Sequence, residues 1–331
     1  MEVALEHGGD LGAARRLFPD APQPFVDLST AINPYPYPVP ALPEDVFARL
    51  PEPAALERLA AIAAATYGAP SGAHVVAAPG TQILLPLVTG LLPPGRAAVL
   101  GPTYAEHVRA AAQAGHRVEE VAALSALQEA DLAVVVNPNN PDGRIADRAD
   151  LLACARGMGA GGLMVVDEAF ADVAPAGTSL AGDVERAPIV VLRSFGKFFG
   201  LAGLRLGFAL ASRPLAARLR DALGPWAVSG PAIAIATAAL QDRAWAEATH
   251  ARLAQAVSRL DDVLTGAGLD IVGGTPLFRL VRARSGVALF QHLGHAGIWL
   301  RRFADDRLRF GLPGSEADWQ RLTAALAAFQ A

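Results

Sequence analysis

Ile189-Val190-Val191-Leu192-Arg193-Ser194-Phe195-Gly196-Lys197-Phe198-Phe199-Gly200-Leu201-Ala202-Gly203-Leu204-Arg205-Leu206-Gly207-Phe208-Ala209 is the stretch that decides the fold. Ile189–Leu192 is a short, continuously apolar run of the kind that forms a strand covered on both faces. A second such run, Leu206–Ala209, follows a glycine-rich turn. Lys197 sits in that turn and is the only lysine in the chain; every other Lys/Arg position is arginine. Arginine stays charged, whereas lysine can lose its proton and form a Schiff base with a carbonyl. A surface lysine in an arginine-rich sequence would look the same, so its neighbours have to decide.

Working outward, the same grammar repeats. Short apolar runs at His74–Ala78, Ala97–Leu100, Leu132–Val136 and Leu163–Val166 are bounded by Gly, Pro, Asp or Asn. Helical patterns lie among them, from Leu56 to about Tyr67, from Thr81, over Tyr104–Ala114 and over Arg148–Arg156. Strands alternating with helices predict an α/β domain with a mostly parallel sheet. Ligands of such sheets gather beyond the carboxyl ends of the strands. Two runs end in polar groups: Leu132–Val136 in Asn137-Pro138-Asn139-Asn140-Pro141-Asp142-Gly143, and Leu163–Val166 in Asp167-Glu168. Asn140 would offer an amide there and Asp167 a carboxylate, although Asn-Pro-Asp-Gly is also plain turn chemistry and an aspartate can simply cap a helix. After about Pro231 the texture changes to helical patterns up to Leu264, then strands near Ile271–Arg282, Ile298–Arg301 and Leu308–Gly311, with a final helix from Glu316. We therefore expect an arm and linker over 1–54, a large α/β domain over 55–225 and a small α+β domain over 226–331. Tyr35-Pro36-Tyr37-Pro38-Val39-Pro40 cannot be helical, and its tyrosines suggest an arm docked on something else.

Composition removes several function classes. The 331 residues carry a net charge of −4 without a basic patch, which argues against a nucleic-acid partner or a polybasic membrane surface. Mean hydropathy is positive at +0.31. The excess is mostly alanine broken by charges, and no run reaches the ~20 apolar residues of a spanning helix. Met1–Asp10 lacks the pattern of a signal peptide. One cysteine, Cys154, forbids an intrachain disulfide framework and fits a cytoplasmic location. No metal site is expected.

Taken together and in order, these motifs resemble the fold-type I pyridoxal 5′-phosphate (PLP) superfamily, with its aspartate aminotransferase-like fold, in the histidinol-phosphate aminotransferase branch. The resemblance implies PLP as cofactor and Lys197 as its attachment point. It implies that Asp167 pairs with the pyridine nitrogen, Asn140 with the phenolic oxygen, and that Tyr104 stacks on the ring. Ser194 and Arg205 match the ligands of the cofactor phosphate, and Thr81 and Gln82 the backbone N–H groups that meet it at a helix N-terminus. Arg309 matches the arginine that grips the substrate α-carboxylate in a bidentate fork. A homodimer is implied as well, because the superfamily builds its site between two subunits.

The departures narrow the branch. Phe170 stands where the family usually has a tyrosine, and Leu50-Pro51-Glu52-Pro53 replaces a Tyr-Pro-Asp-Pro segment whose tyrosine reaches a neighbouring subunit. The second small polar residue before the lysine is Gly196. With His7-Gly8-Gly9-Asp10 and Leu28-Ser29-Thr30-Ala31-Ile32-Asn33-Pro34, these features look like the threonine-phosphate decarboxylase family of cobalamin biosynthesis. That resemblance implies decarboxylation of a small phosphorylated amino acid, O-phospho-L-threonine, to (R)-1-amino-2-propanol O-2-phosphate. It makes His7 and Arg301 candidates for the substrate phosphate and places Asn33 near the substrate carboxylate. The alternative is a histidinol-phosphate aminotransferase, which shares every cofactor contact. A PLP-binding regulatory module is disfavoured by the negative charge.

Overall fold

The computed structural model describes residues 7–329. Its largest element is a seven-stranded sheet. The strands are β1 (Val75–Ala78), β2 (Arg96–Leu100), β3 (Arg117–Val121), β4 (Leu132–Val136), β5 (Leu163–Asp167), β6 (Ile189–Ser194) and β7 (Gly207–Ala211). Their spatial order is β1-β7-β6-β5-β4-β2-β3. β7 pairs antiparallel with both neighbours, and the remaining pairings are parallel. β4, β5 and β7 are buried at every position, as their unbroken apolar runs require of a sheet covered on both faces.

Helices supply the cover. α1 (Thr81–Thr89) turns Leu84, Leu85 and Val88 toward the sheet, α2 (Glu106–Gln113) turns Ala110 and Ala111, and α3 (Arg213–Leu223) turns Ala216 and Leu219. They meet Val99, Val134, Val165, Val190, Leu192 and Ala209 in one core cluster. Alanine at the helix positions lets the helices approach closely. The burial of each Val or Leu is worth about 1.5–3 kcal/mol before chain entropy is counted. Long parallel connections bring residues far apart in sequence to one sheet edge, and that is how the site is assembled.

The chain divides into two compact units. The larger holds Pro36–Asn140 and Arg144–Ala246; the smaller holds the residues up to Tyr35, Pro141–Gly143 and those from Glu247 onward. In the larger unit the proline-rich segment is docked, as its tyrosines suggested. The Tyr37 N–H donates to the Phe199 carbonyl at 2.9 Å, and its ring meets Trp245 edge-on at 5.1 Å.

The smaller unit has a four-stranded antiparallel sheet of β8 (Asp270–Thr275), β9 (Phe278–Arg282), β10 (Arg301–Arg302) and β11 (Arg307–Gly311), in the order β10-β11-β9-β8. Val26–Asp27 pairs in parallel with Ile298–Trp299. The first 54 residues, expected to be irregular, contain a helix at Leu11–Leu17. Asp10 caps it through a 2.8 Å bond from the Ala13 N–H. Ala14 on that helix and Phe18 at its C-cap pack with Phe25 and Trp299. The Pro-rich composition downstream masked a two-turn helix, too short to be stable without this cap and packing.

Candidate active site

Every candidate for the cofactor lies in the larger unit and every candidate for the substrate in the smaller. The larger unit is taken first. β5 ends on Asp167, which is buried. Its Oδ1 accepts the Ala169 N–H at 3.0 Å and its Oδ2 lies 2.8 Å from Nε2 of His107. A carboxylate has lone pairs for further donors, so both contacts fix its orientation and still leave it able to accept from a protonated ring nitrogen. His107 is itself buried, on α2, sixty positions earlier in the chain. Sequence reasoning missed it. The available signal was its place three residues after Tyr104, the aromatic already assigned to the ring.

Glu168, the next residue, points the other way and is fully buried. It accepts from Arg193 at 3.1 Å, from the Ser179 hydroxyl at 2.5 Å and from the Leu180 N–H at 2.8 Å. Burial pushes its carboxyl pKa up, against the pull of Arg193, Ser179 and Leu180. Arg193, on β6, also donates to Asp172 at 2.7 Å. Burial alone would lower the arginine's pKa; Asp172 and Glu168 outweigh it and hold the guanidinium above its ordinary value. This latch joins the carboxyl ends of β5 and β6. Removing one partner of such a pair costs about 3–5 kcal/mol, because it strands the other charge. The latch thereby fixes Asp167 against the turn that follows β6.

That turn carries Ser194 at the end of β6 and Lys197 in the short helix Phe195–Phe198. Gly196 is required there, since an added Cβ would lie 2.8 Å from the Ala202 Cα. The Lys197 Nζ lies 5.5 Å from the centroid of the Phe170 ring. The consecutive asparagines separate into two roles. Asn139 is buried and braces the loop, accepting from the Thr103 hydroxyl at 2.6 Å and donating to the Pro102 carbonyl at 3.0 Å. Asn140 is half-buried at the end of the segment, the position suited to meet a ligand.

The N-terminus of α1 forms an anion cradle. Gly80 precedes it with φ of +88° and, as the N-cap residue, has no side chain to cap its first turn. A Cβ on Gly80 would lie 2.8 Å from Nη2 of Arg205, and one on Gly207 would lie 2.6 Å from the Thr81 N. Two glycines thus keep the space beside the helix dipole and a guanidinium clear of side chains, as a phosphate requires. Gln82, assigned to the phosphate through its backbone, has a second role through its side chain. Its Oε1 accepts from the Tyr104 hydroxyl at 3.1 Å, and its Nε2 donates to buried Glu106 at 2.9 Å. This series orients the Tyr104 ring.

In the smaller unit, Arg309 is central to β11, facing Leu280 on one side and Arg301 on the other. It is 6% exposed and donates to the Ser29 carbonyl at 2.5 Å. Asn33 is buried, its Oδ1 accepting the Tyr35 N–H at 2.9 Å. His7 is exposed, at the start of the described chain. All twelve candidate residues are among the described ones.

The pattern of the aminotransferase class I and II family matches residues 49–326. The chain belongs to that family. Within it, the chain is 45% identical to a threonine-phosphate decarboxylase from Pseudomonas aeruginosa, over 98% of both chains. It is 44% identical to a threonine-phosphate decarboxylase from a Sinorhizobium species, over 99% of both. Among solved structures of the fold, a histidinol-phosphate aminotransferase from Sinorhizobium meliloti, crystallised with pyridoxal 5′-phosphate, superimposes with a TM-score of 0.81. It is 22% identical and the match covers 98% of this chain and 94% of that one. The fold is therefore the aspartate aminotransferase-like one expected from the motifs, with a large mostly parallel sheet and a smaller antiparallel one.

Proposed function

We propose that the chain is a PLP-dependent carboxy-lyase that converts O-phospho-L-threonine to (R)-1-amino-2-propanol O-2-phosphate, a step of cobalamin biosynthesis. The observation that carries this reading is identity of 45% along essentially the whole length to a threonine-phosphate decarboxylase. The larger unit fits the cofactor: an uncapped helix N-terminus beside Arg205 for its phosphate, a buried carboxylate at a strand end for its nitrogen, and a unique lysine for its aldehyde.

Bound PLP supplies an electron sink for the pair left at Cα when a substituent departs. The protein's own residues do the rest. Asp167, oriented by His107 and the Ala169 N–H, keeps a proton on the ring nitrogen. Asn140 donates to the phenolic oxygen, where Phe170 contributes no bond. Tyr104, held by Gln82, covers the ring face. Thr81, Gln82, Ser194 and Arg205 hold the cofactor phosphate. Lys197 would anchor the cofactor and, as a free amine, could return a proton to Cα. Arg309 holds the substrate carboxylate with Asn33 beside it, and Arg301 and His7 hold the substrate phosphate. Gripping both anionic ends of a short molecule would limit rotation about Cα, so remote binding energy would select which bond at Cα is broken.

We also infer a homodimer located in the cytoplasm. Among the described residues no helix is long and apolar enough to cross a membrane. The deciding experiment is a single turnover of the PLP-loaded protein with O-phospho-L-threonine, following the visible spectrum and CO₂ together. CO₂ release without a 2-oxo acid, with the cofactor spectrum restored afterwards, is the expected result. Pyridoxamine phosphate accumulating with histidinol phosphate, and no CO₂ from phosphothreonine, would transfer the protein to the aminotransferases.

A further inference from the structure

We propose that Ser29 is a positioning residue that sets the spacing between the two anionic ends of the substrate, because the same residue seats Arg309 and anchors the turn that begins at His7. The inference rests on reading Arg309 as the carboxylate site and His7 as part of the phosphate site.

Ser29 is fully buried, two residues after the short strand Val26–Asp27. Its N–H and its hydroxyl both lie on Oδ1 of Asp27, at 2.9 and 2.5 Å. An ionised carboxylate only accepts, so the hydroxyl proton is committed to Asp27. The oxygen's lone pair then faces outward, and it takes the Gly9 N–H at 2.8 Å. The direction of every bond in this chain is dictated by the charge at its end. On the other side, the Ser29 carbonyl receives Nη2 of Arg309.

The His7–Asp10 turn rests on that same carbonyl. A Cβ on Gly8 would lie 2.4 Å from the Ser29 oxygen, which no real side chain tolerates. Gly9 adopts a φ of +89°, the left-handed region that glycine enters without strain. Asp10 then closes the turn by capping Leu11–Leu17. The segment leading to His7 is therefore pinned at Gly9 by the Ser29 hydroxyl and pressed at Gly8 against the atom that holds Arg309. All of these contacts lie within the smaller unit. Ser29 is thus the common point from which both grips are placed, through its hydroxyl on one side and its carbonyl on the other. The register between them is what lets one short molecule engage both.

A ligand held at two rigidly spaced points gains affinity over a ligand held at one, and the gain disappears when the spacing loosens. The measure is the ratio of Kd for L-threonine to Kd for O-phospho-L-threonine, taken by calorimetry on PLP-loaded protein reduced with borohydride so that no turnover occurs. Ser29→Ala removes the Gly9 anchor. Asp27→Asn keeps the shape but lets position 27 donate, so the hydroxyl is no longer compelled to accept from Gly9. In both variants the ratio should fall about tenfold, with cofactor content unchanged. Any weakening of the carboxylate grip alone cancels in the ratio. Gly8→Ala drives a methyl against the Ser29 carbonyl and should raise Kd for L-threonine itself about tenfold. If Ser29→Ala fails to fold, Asp27→Asn decides. A ratio within about twofold of wild type in a variant that retains PLP overturns the proposal, as does unchanged L-threonine binding in Gly8→Ala. These comparisons read binding, so they stand whether or not the wild type releases CO₂. Absence of CO₂ would instead defeat the reading of the reaction.

Discussion

Arg309 shows at the scale of one residue how location sets chemistry. Burial lowers its pKa, Arg301 across the strand lowers it further, and Asp27 opposes both, leaving the guanidinium at about 9. Burial makes this guanidinium an exception to arginine's usual permanent charge: charged below its pKa and neutral above it, it grips a carboxylate at neutral pH and loses that grip as pH rises through about 9. Affinity for a dicarboxylate lacking an amino group should be flat to about pH 8 and then fall by up to about tenfold per pH step. Titrations of the PLP-loaded protein between about pH 7 and about pH 10 measure this; a flat profile would show that Arg309 keeps its charge, and unaltered affinity in Arg309→Ala would remove it from the carboxylate site. The arginine's candidacy was legible because its motif is local. His107 was not: its partner is sixty residues away, and only the strand-end geometry brings Asp167 to it. Glu168 was likewise silent in sequence. Nothing in Asp167-Glu168 says which carboxylate faces a ligand and which faces Arg193.

Among the elements, α1 and β7 form the anion cradle jointly. Thr81 opens the helix and Gly207 opens the strand, and the two backbones are close enough that a single methyl would intervene. Gly207→Ala should push the helix N-terminus away from Arg205. The expected outcome is PLP affinity reduced about tenfold or more, with a lower melting temperature, because the obstructing atom is backbone nitrogen and cannot swing aside. Equilibrium dialysis of PLP measures the first effect, and unaltered affinity would place the phosphate elsewhere. Most elements of this sheet were readable from their apolar runs. β3 was the exception. Its sequence Arg117-Val118-Glu119-Glu120-Val121 has charges where the other strands have Val, Ala and Leu, because it is the sheet's edge and pairs only with β2. Charge on an edge strand discourages further pairing, and the same charge hides the strand from a search for apolar runs.

At the scale of the molecule, the larger unit's exposed apolar side chains include Phe47 at 67%, Leu50 at 65% and Trp226 at 57%. Leu50 occupies the position from which relatives, by resemblance, reach a neighbouring subunit. Light scattering on the PLP-loaded protein should give twice the 34.3 kDa chain mass, and Leu50→Asp with Trp226→Asp should shift it toward a monomer. A monomeric wild type would end the homodimer reading. The sequence by itself determined the class of fold, because alternating apolar runs and amphipathic helices have few ways to be buried together. It also singled out the proposed attachment point, because Lys197 is the one lysine in the chain. Only the tertiary structure decided which groups position the ligand-facing ones. The roles of His107 on Asp167, Glu106 behind Gln82, and Ser29 beneath Arg309 arise from contacts between segments distant in sequence. Parallel crossovers and antiparallel strand register bring those segments together, and neither leaves a local trace in the residues concerned.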